Sequence, residues 1–139
     1  MLRAVLDAHV YISAIIQPGG TPGRLVERFL RDESFEVVLS PAIVDEVLRA
    51  LTYPKVRKLL RGADAQHWFE DLVVLADLVA GAQHLSGVCK DPDDDKYVAA
   101  ALEGRAAYVV TGDQAFLALR EYAGVTIMTP RSFLDLLGS

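Results

Sequence analysis

Four short apolar runs punctuate the chain. Leu2–Leu6 is interrupted by Arg3 and ends at Asp7, while Glu36–Ser40 (EVVLS), Tyr108–Thr111 (YVVT) and Val125–Met128 (VTIM) are rich in β-branched residues. Each is followed by a polar residue or a turn signal, the pattern of a strand buried on both faces. Between the runs the apolar period changes to that of a helix. Thr21-Pro22 reads as an N-cap with proline in the first turn, where its missing N–H costs nothing, and Leu25, Val26, Phe29 and Leu30 follow as a stripe. Ser40-Pro41 opens a second helix in the same way, with Ile43, Val44, Val47, Leu48 and Leu51 as its stripe. Tyr53-Pro54 starts a shorter basic helix over Lys55–Arg61. Asp64 caps a long one reaching Leu78 or Val79, and Thr129-Pro130 opens the last, carrying Phe133, Leu134 and Leu137. Asp95–Glu103 reads as a helix just before YVVT. The stretch Ser86–Asp95 is the expected long loop, and Gly19-Gly20, following a proline, reads as a turn.

Strands alternating with helices predict an α/β class with a mostly parallel sheet covered on both faces. The length of 139 residues suits one domain spanning 1–139, and 52% hydrophobic residues suffice for a real core. The single cysteine, Cys89, cannot form an intrachain disulfide, which fits a reducing cytosol. No apolar run approaches the roughly 20 residues that span a bilayer, and the start has no signal-peptide core. A cytoplasmic location with no membrane association is expected.

A net charge of −5 argues against a general nucleic-acid coat, unless part of that charge belongs to a carboxylate site offset by metal ions. The acids fall in a telling way. In an open parallel sheet, functional groups collect at the carboxyl ends of the strands. Asp7 ends the first strand, Asp113 follows YVVT by two residues, Asp95 opens the helix leading into YVVT, and Glu46 lies in the helix after EVVLS. Helical phase puts Asp95 on the face of Val98 and Leu102, but Asp94 is equally in register with Val98 and Ala101, so periodicity does not choose between them. Glu46 falls to one side of its stripe. Taken singly, an aspartate at a strand end is a turn former and one at a helix start a cap, and Asp93–Asp95 could be a solvated loop. Several acids at one sheet edge are a different matter. They raise each other's pKa unless cations hold them, and Mg²⁺ or Mn²⁺ with oxygen ligands is the natural solution, suited to displacement at phosphorus.

With these motifs in place the chain resembles a PIN domain, the nuclease fold of VapC-type toxins, and most of all the branch of toxin components of toxin–antitoxin systems. LDAHVYISAI resembles the opening LDTNVLVSAL, LSPAIVDEVLRAL the second motif, DPDDDKYVAAAL the third and VVTGDQAFLAL the fourth, with MTPRSFL similar to the branch's ending. The resemblance implies a three-layer α/β/α fold around a sheet of four to five strands. It implies Asp7, Glu46, Asp95 and Asp113 as catalytic metal ligands for Mg²⁺ or Mn²⁺, with Asp93 as an outer ligand and Asp91 and Asp94 as loop and solvent residues. Thr111 would hydrogen-bond a carboxylate, water or phosphate. The implied activity is an endoribonuclease that hydrolyses an RNA phosphodiester with metal-activated water, leaving 5′-phosphate and 3′-hydroxyl ends. The implied partners are RNA, a cognate antitoxin and a second copy of the chain. The first motif departs from the family pattern: His9 replaces the usual asparagine and Ala8 the usual threonine, which leaves His9 open to a supporting or substrate role. Two alternatives stand beside this reading, a metal-dependent hydrolase of DNA or other phosphate esters and a binding module that has lost turnover.

Arg49, Lys55, Arg57, Lys58 and Arg61 are five of the fourteen basic residues within thirteen positions. They are candidates for contacts with RNA phosphates, set against the reading of an ordinary solvated helix face. Trp68 and Phe69 read as core or interface, and His67 and His84, without partners at ligand spacing, as surface.

Overall fold

In the computed structural model, which describes residues 1–138, the first apolar run forms β1 (Arg3–Leu6) near the middle of a six-stranded sheet. The other runs become β2 (Glu36–Leu39), β4 (Tyr108–Val110) and β6 (Val125–Met128). Two two-residue strands, β3 (Asp77–Leu78) and β5 (Glu121–Tyr122), finish the edges in the order β3-β2-β1-β4-β6-β5. Every pairing is parallel except β5 with β6, which is antiparallel. The register sets Ala4 beside Val37 and Tyr108, and Tyr108 beside Thr126. Parallel strands in this register put Asp7, Ser40, Thr111 and Thr129, the residues just past β1, β2, β4 and β6, along one edge. Helices cover both faces, as three layers require.

The helices are α1 (Ala8–Ile16), α2 (Thr21–Leu30), α3 (Pro41–Ala50), α4 (Pro54–Leu60), α5 (Ala65–Leu75), α6 (Asp95–Glu103), α7 (Gln114–Leu117) and α8 (Pro130–Leu137). Three expected caps form: the Ser40, Asp64 and Thr129 side chains accept from the N–H groups of Ile43, His67 and Ser132. Thr21 does not cap. Gly20 takes the cap position without a side-chain bond, and Thr21-Pro22 lie inside the first turn. The preceding turn packs tightly on this helix start, since a Cβ on Gly23 would meet the Pro18 carbonyl oxygen at 2.2 Å. α1 has no stripe to read, because AHVYISAII is apolar almost all round. Such a helix belongs inside, and Ala8, Val10, Tyr11, Ile12 and Ala14 are buried. The long helix after Asp64 stops at Leu75, short of the expected Leu78 or Val79. The chain turns extended at Ala76, and the Val79 N–H donates to the Leu39 carbonyl at 2.8 Å. A strand edge in need of partners overrides an apolar spacing that suits a helix. The irregular stretch accordingly begins at Val79, ahead of the expected Ser86, and closes on a single 3₁₀ turn, Pro92–Asp94.

One contiguous apolar core runs through both layers, from Val5, Val37 and Val109 in the sheet to Leu25, Ile43, Phe69, Val98 and Phe133 in the helices, all fully buried. The edge of the sheet opposite Asp7 is held by one arginine. Arg3 meets Glu36 at 2.6 Å and Asp77 at 2.5 Å, and donates through Nε and Nη2 to the Gly104 carbonyl. Gly104 has to be glycine there, because a Cβ would sit 2.5 Å from Val38 Cγ1. Among the described residues no helix is long and apolar enough to cross a membrane.

Candidate active site

The carboxyl edge of the sheet gathers the first and fourth motifs through one threonine. Asp7 is the N-cap of α1, and its Oδ1 accepts the N–H groups of His9 at 2.7 Å and Val10 at 3.3 Å. Its Oδ2 accepts a hydrogen bond from the Thr111 hydroxyl. The same Thr111 oxygen accepts the Asp113 N–H at 3.1 Å. Thr111 is fully buried and Asp7 nearly so. Burial raises the Asp7 pKa, opposed by the bond from Thr111, the neighbouring His9 and the two backbone donors. Asp113 caps α7 by accepting from Ala115 N–H at 3.1 Å, and is exposed. The structural and functional readings of these aspartates are therefore compatible: Asp113 spends one oxygen on a helix start and keeps the other for the edge.

The third motif divides its four aspartates among different tasks. Asp91 caps the 3₁₀ turn by accepting from Asp93 N–H at 3.0 Å, and both residues are exposed. Asp95 opens α6 and is buried, and its Oδ1 accepts the Cys89 N–H at 2.6 Å. Its inward register serves to tie down the loop that precedes it. Burial, followed by the bond to Asp95 and the charges of Asp95, Asp94 and Asp91, pushes the Cys89 thiol up to about 12, so it is no nucleophile. Asp94, partly exposed, is the member that feels the other motifs. Its pKa is pushed up to about 6, first by burial and then by the charges of Asp91, Asp113 and Asp7, against a lowering by Lys96. Asp94 thus lies in the field of acids from the first and fourth motifs as well as its own.

Glu46, in the middle of α3, reaches the edge through α6. Its Oε1 accepts the Tyr97 hydroxyl, and its Oε2 lies 2.9 Å from Lys96 Nζ. The Tyr97 oxygen in turn accepts the N–H of Ala8, the residue after Asp7, at 3.1 Å. Burial and then Glu46 hold the Tyr97 phenol well above its ordinary pKa, so it stays a proton donor. Tyr97 thus joins the first motif to the second, and neither Tyr97 nor Lys96 was a candidate from sequence. Nothing in linear spacing reveals that the Tyr97 hydroxyl lands between Ala8 and Glu46. The His9 side chain is exposed on the first turn of α1. Arg49, Lys55, Arg57, Lys58 and Arg61 are all exposed, and among the described residues none of them forms an ion pair. Arg57 and Lys58 line a cleft of about 830 Å³ between the end of α3, α4 and the start of α5.

Among the described residues no three His, Cys, Asp or Glu side chains stand close enough to enclose one metal ion. The donors are nonetheless of the right kind for a hard divalent cation. Asp7, Asp94 and Asp113 supply only carboxylate oxygen, and none of them has a lysine or arginine in ion-pair contact among the described residues. Mg²⁺ is ordinarily held by one or two carboxylates with waters and substrate phosphates completing its shell, so it needs no protein cage.

Comparisons with known proteins bear on the family and the fold. The chain is 28% identical over 142 residues to the uncharacterized protein MJ1680 of Methanocaldococcus jannaschii, covering 96% of this chain and 90% of that one. Its fold is similar to VapBC2 from Rickettsia felis, solved bound to a DNA fragment from its promoter, with a TM-score of 0.59 at 11% identity over 92% of this chain and 98% of that one. It is similar also to PAE2754 from Pyrobaculum aerophilum, with a TM-score of 0.58 at 14% identity over 98% of this chain and 89% of that one. At such identities these two likenesses speak to the fold alone. Residues 3–115 match the PIN domain profile, a stretch that contains Asp7, Glu46, Asp94 and Asp113, and the chain belongs to the PIN domain family, whose members are generally nucleases.

Proposed function

We infer that the protein is a divalent-metal-dependent endoribonuclease and the toxin of a toxin–antitoxin pair. The observation that carries this reading is the carboxyl edge itself. Acids from three separated motifs act on one another there, and Thr111 fixes two of them relative to each other. A bound Mg²⁺ or Mn²⁺ would neutralise these acids, activate water and polarise a phosphoryl oxygen. The chain's own part is positional. Thr111 orients Asp7 Oδ2 and the Asp113 backbone, the α1 amides hold Asp7 Oδ1, and Tyr97 steadies Glu46 beside the start of α1. Asp7, Glu46 and Asp113 keep their roles as metal ligands in this reading, directly or through water, with Asp93 at the rim. In the third motif this reading moves the ligand from Asp95 to Asp94, which is partly exposed and lies in the field of Asp7 and Asp113. The bases of α3 and α4, which form no ion pair among the described residues, support RNA as the polyanion held outside an acidic site. The antitoxin partner is supported by the fold shared with a protein solved as VapBC2. A homodimer is supported by Val74, Leu75 and Leu78, which expose apolar surface at the β3 edge.

A binding module without turnover draws support from the absence of a closed three-acid cluster among the described residues. One experiment separates the readings. Purified protein is given single-stranded RNA, single-stranded DNA and a generic phosphodiester, each with Mn²⁺ or with chelator, alongside Asp94→Asn and Asp95→Asn. The expected result is Mn²⁺-dependent cleavage of RNA, lost in Asp94→Asn and largely kept in Asp95→Asn, whose amide oxygen can still accept from Cys89. Cleavage lost only in Asp95→Asn would move the third ligand back to Asp95. No cleavage of RNA by the unaltered protein under any divalent ion would reject the ribonuclease reading.

A further inference from the structure

We propose that Lys96 is the resident counter-ion of Glu46 and that a divalent cation engages Glu46 by displacing it. The inference rests on the metal-dependent reading above and names a residue that this reading leaves without a role. Lys96 stands second in α6, at the positive end of the helix dipole, where a cation is disfavoured. Its position is explained by what it touches. Nζ lies 2.9 Å from Glu46 Oε2 and 2.7 Å from the Asp93 carbonyl, and sits 5.0 Å from the centre of the Tyr97 ring. Among the described residues it makes the one ion pair to any of the proposed ligands. With Tyr97 on Oε1 and Lys96 on Oε2, both Glu46 oxygens are engaged by donors. A metal ion entering there meets an ammonium on the oxygen it needs.

The chemistry of lysine suits a displaceable partner. An ammonium is a compact charge on a flexible stem with three donors that can be re-aimed. The Asp93 carbonyl gives it a second anchor when Glu46 is taken, so leaving the carboxylate does not send it into bulk solvent. In the absence of metal it cancels one of the charges that would otherwise repel each other at this edge. An arginine in its place would grip Glu46 through a planar fork and yield less readily.

The test is Mn²⁺ binding by titration calorimetry, with RNA absent, on the unaltered protein, Lys96→Met, Lys96→Arg, Glu46→Gln and the double variant Glu46→Gln with Lys96→Met. Thermal melting of each variant checks the fold. Lys96→Met is expected to tighten Mn²⁺ binding by about fivefold or more, the scale of a typical coupling between sites, and Lys96→Arg to weaken it. In the Glu46→Gln background the Lys96→Met gain should shrink to less than about twofold, since the competition is for that carboxylate. An unchanged or weaker affinity in Lys96→Met overturns the inference, as does an equal gain with and without Glu46, which would mean only a diffuse field. Should Lys96→Met fail to fold, Lys96→Arg decides alone, and an affinity equal to or tighter than that of the unaltered protein overturns the inference. Absence of Mn²⁺ binding by the unaltered protein would overturn the metal-dependent reading itself, and the inference with it.

Discussion

The two ends of the central sheet carry similar acids and treat them in opposite ways. At the amino ends, Glu36 and Asp77 share one guanidinium, and Arg3 spends its remaining donors on the Gly104 carbonyl. Charge there is cancelled and β1, β2, β3 and the α6–β4 turn are tied together. At the carboxyl ends, Asp7, Asp94 and Asp113 have no basic side chain in ion-pair contact among the described residues, and the Asp94 pKa rises to about 6. A fold selected for stability alone would have placed an arginine at both ends. An edge that keeps its repulsion while the other end is neutralised is where the proposed function puts the chemistry.

The contrast can be broken from either side. The largest effect is expected from Asp7→Asn. Cleavage should fall by about 10²-fold or more, as removal of several kcal/mol of metal-mediated transition-state stabilisation implies. Melting temperature should hold or rise, because asparagine caps a helix as well as aspartate and a buried charge has gone. A collapse in melting temperature would make the carboxyl edge structural after all. Arg3→Ala should do the reverse. It should lose about 1–3 kcal/mol in urea unfolding, since a partly buried carbonyl loses two charged donors while the exposed pairs add little. Mn²⁺ affinity should be unaltered, and a parallel loss of metal binding would mean that the two edges are coupled.

A pH series sharpens the comparison further. The folded-state pKa of Asp94, about 6, lies above its ordinary 3.8, so between these values the folded protein binds the proton more tightly than the unfolded chain. Its contribution therefore favours folding at low pH and is lost as pH rises through 4 to 6. Metal-free Asp94→Asn should match the unaltered protein near pH 4 and exceed it by up to about 1 kcal/mol above pH 6, a gain limited by the partial exposure of the group. A constant difference across that range would place the charge elsewhere. The smallest effect should come from Lys55→Ala with Lys58→Ala. With Ca²⁺ replacing Mg²⁺ to suppress cleavage, the slope of log affinity for RNA against log salt should flatten by at most about 2. An unchanged slope would leave α4 a solvated face.

Much of this was readable in the linear pattern. The four long strands, the helices after Ser40-Pro41, Asp64 and Thr129-Pro130, and the start of α6 at Asp95 follow from apolar period and capping residues, which act within a turn or two of themselves. α1 escaped because its polar face is only His9 and Ser13, too narrow to reveal a helical period. β3 escaped because its two residues owe their conformation to β2 across the sheet. The site divides in the same way. That Asp7 and Asp113 meet at one edge follows from parallel strands ending in acids. The choice between Asp94 and Asp95 could not be made from helical phase, since both fall in register with the buried face.

The sequence by itself determined most of the elements, that the sheet is mostly parallel and hence at which end the acids gather, because local propensity and apolar period are properties of short segments. Only the tertiary structure decided what each carboxylate touches. Cys89 claims an oxygen of Asp95, Lys96 and Tyr97 hold Glu46, and Thr111 bridges Asp7 to Asp113. The bonds to Glu46 and Asp7 join residues 50 or more positions apart, and even the short link from Cys89 to Asp95 depends on how the preceding loop folds back on α6. A carboxylate's charge and reactivity are set by whatever packs within a few ångströms of it, and that neighbourhood comes into being only when the chain closes on itself.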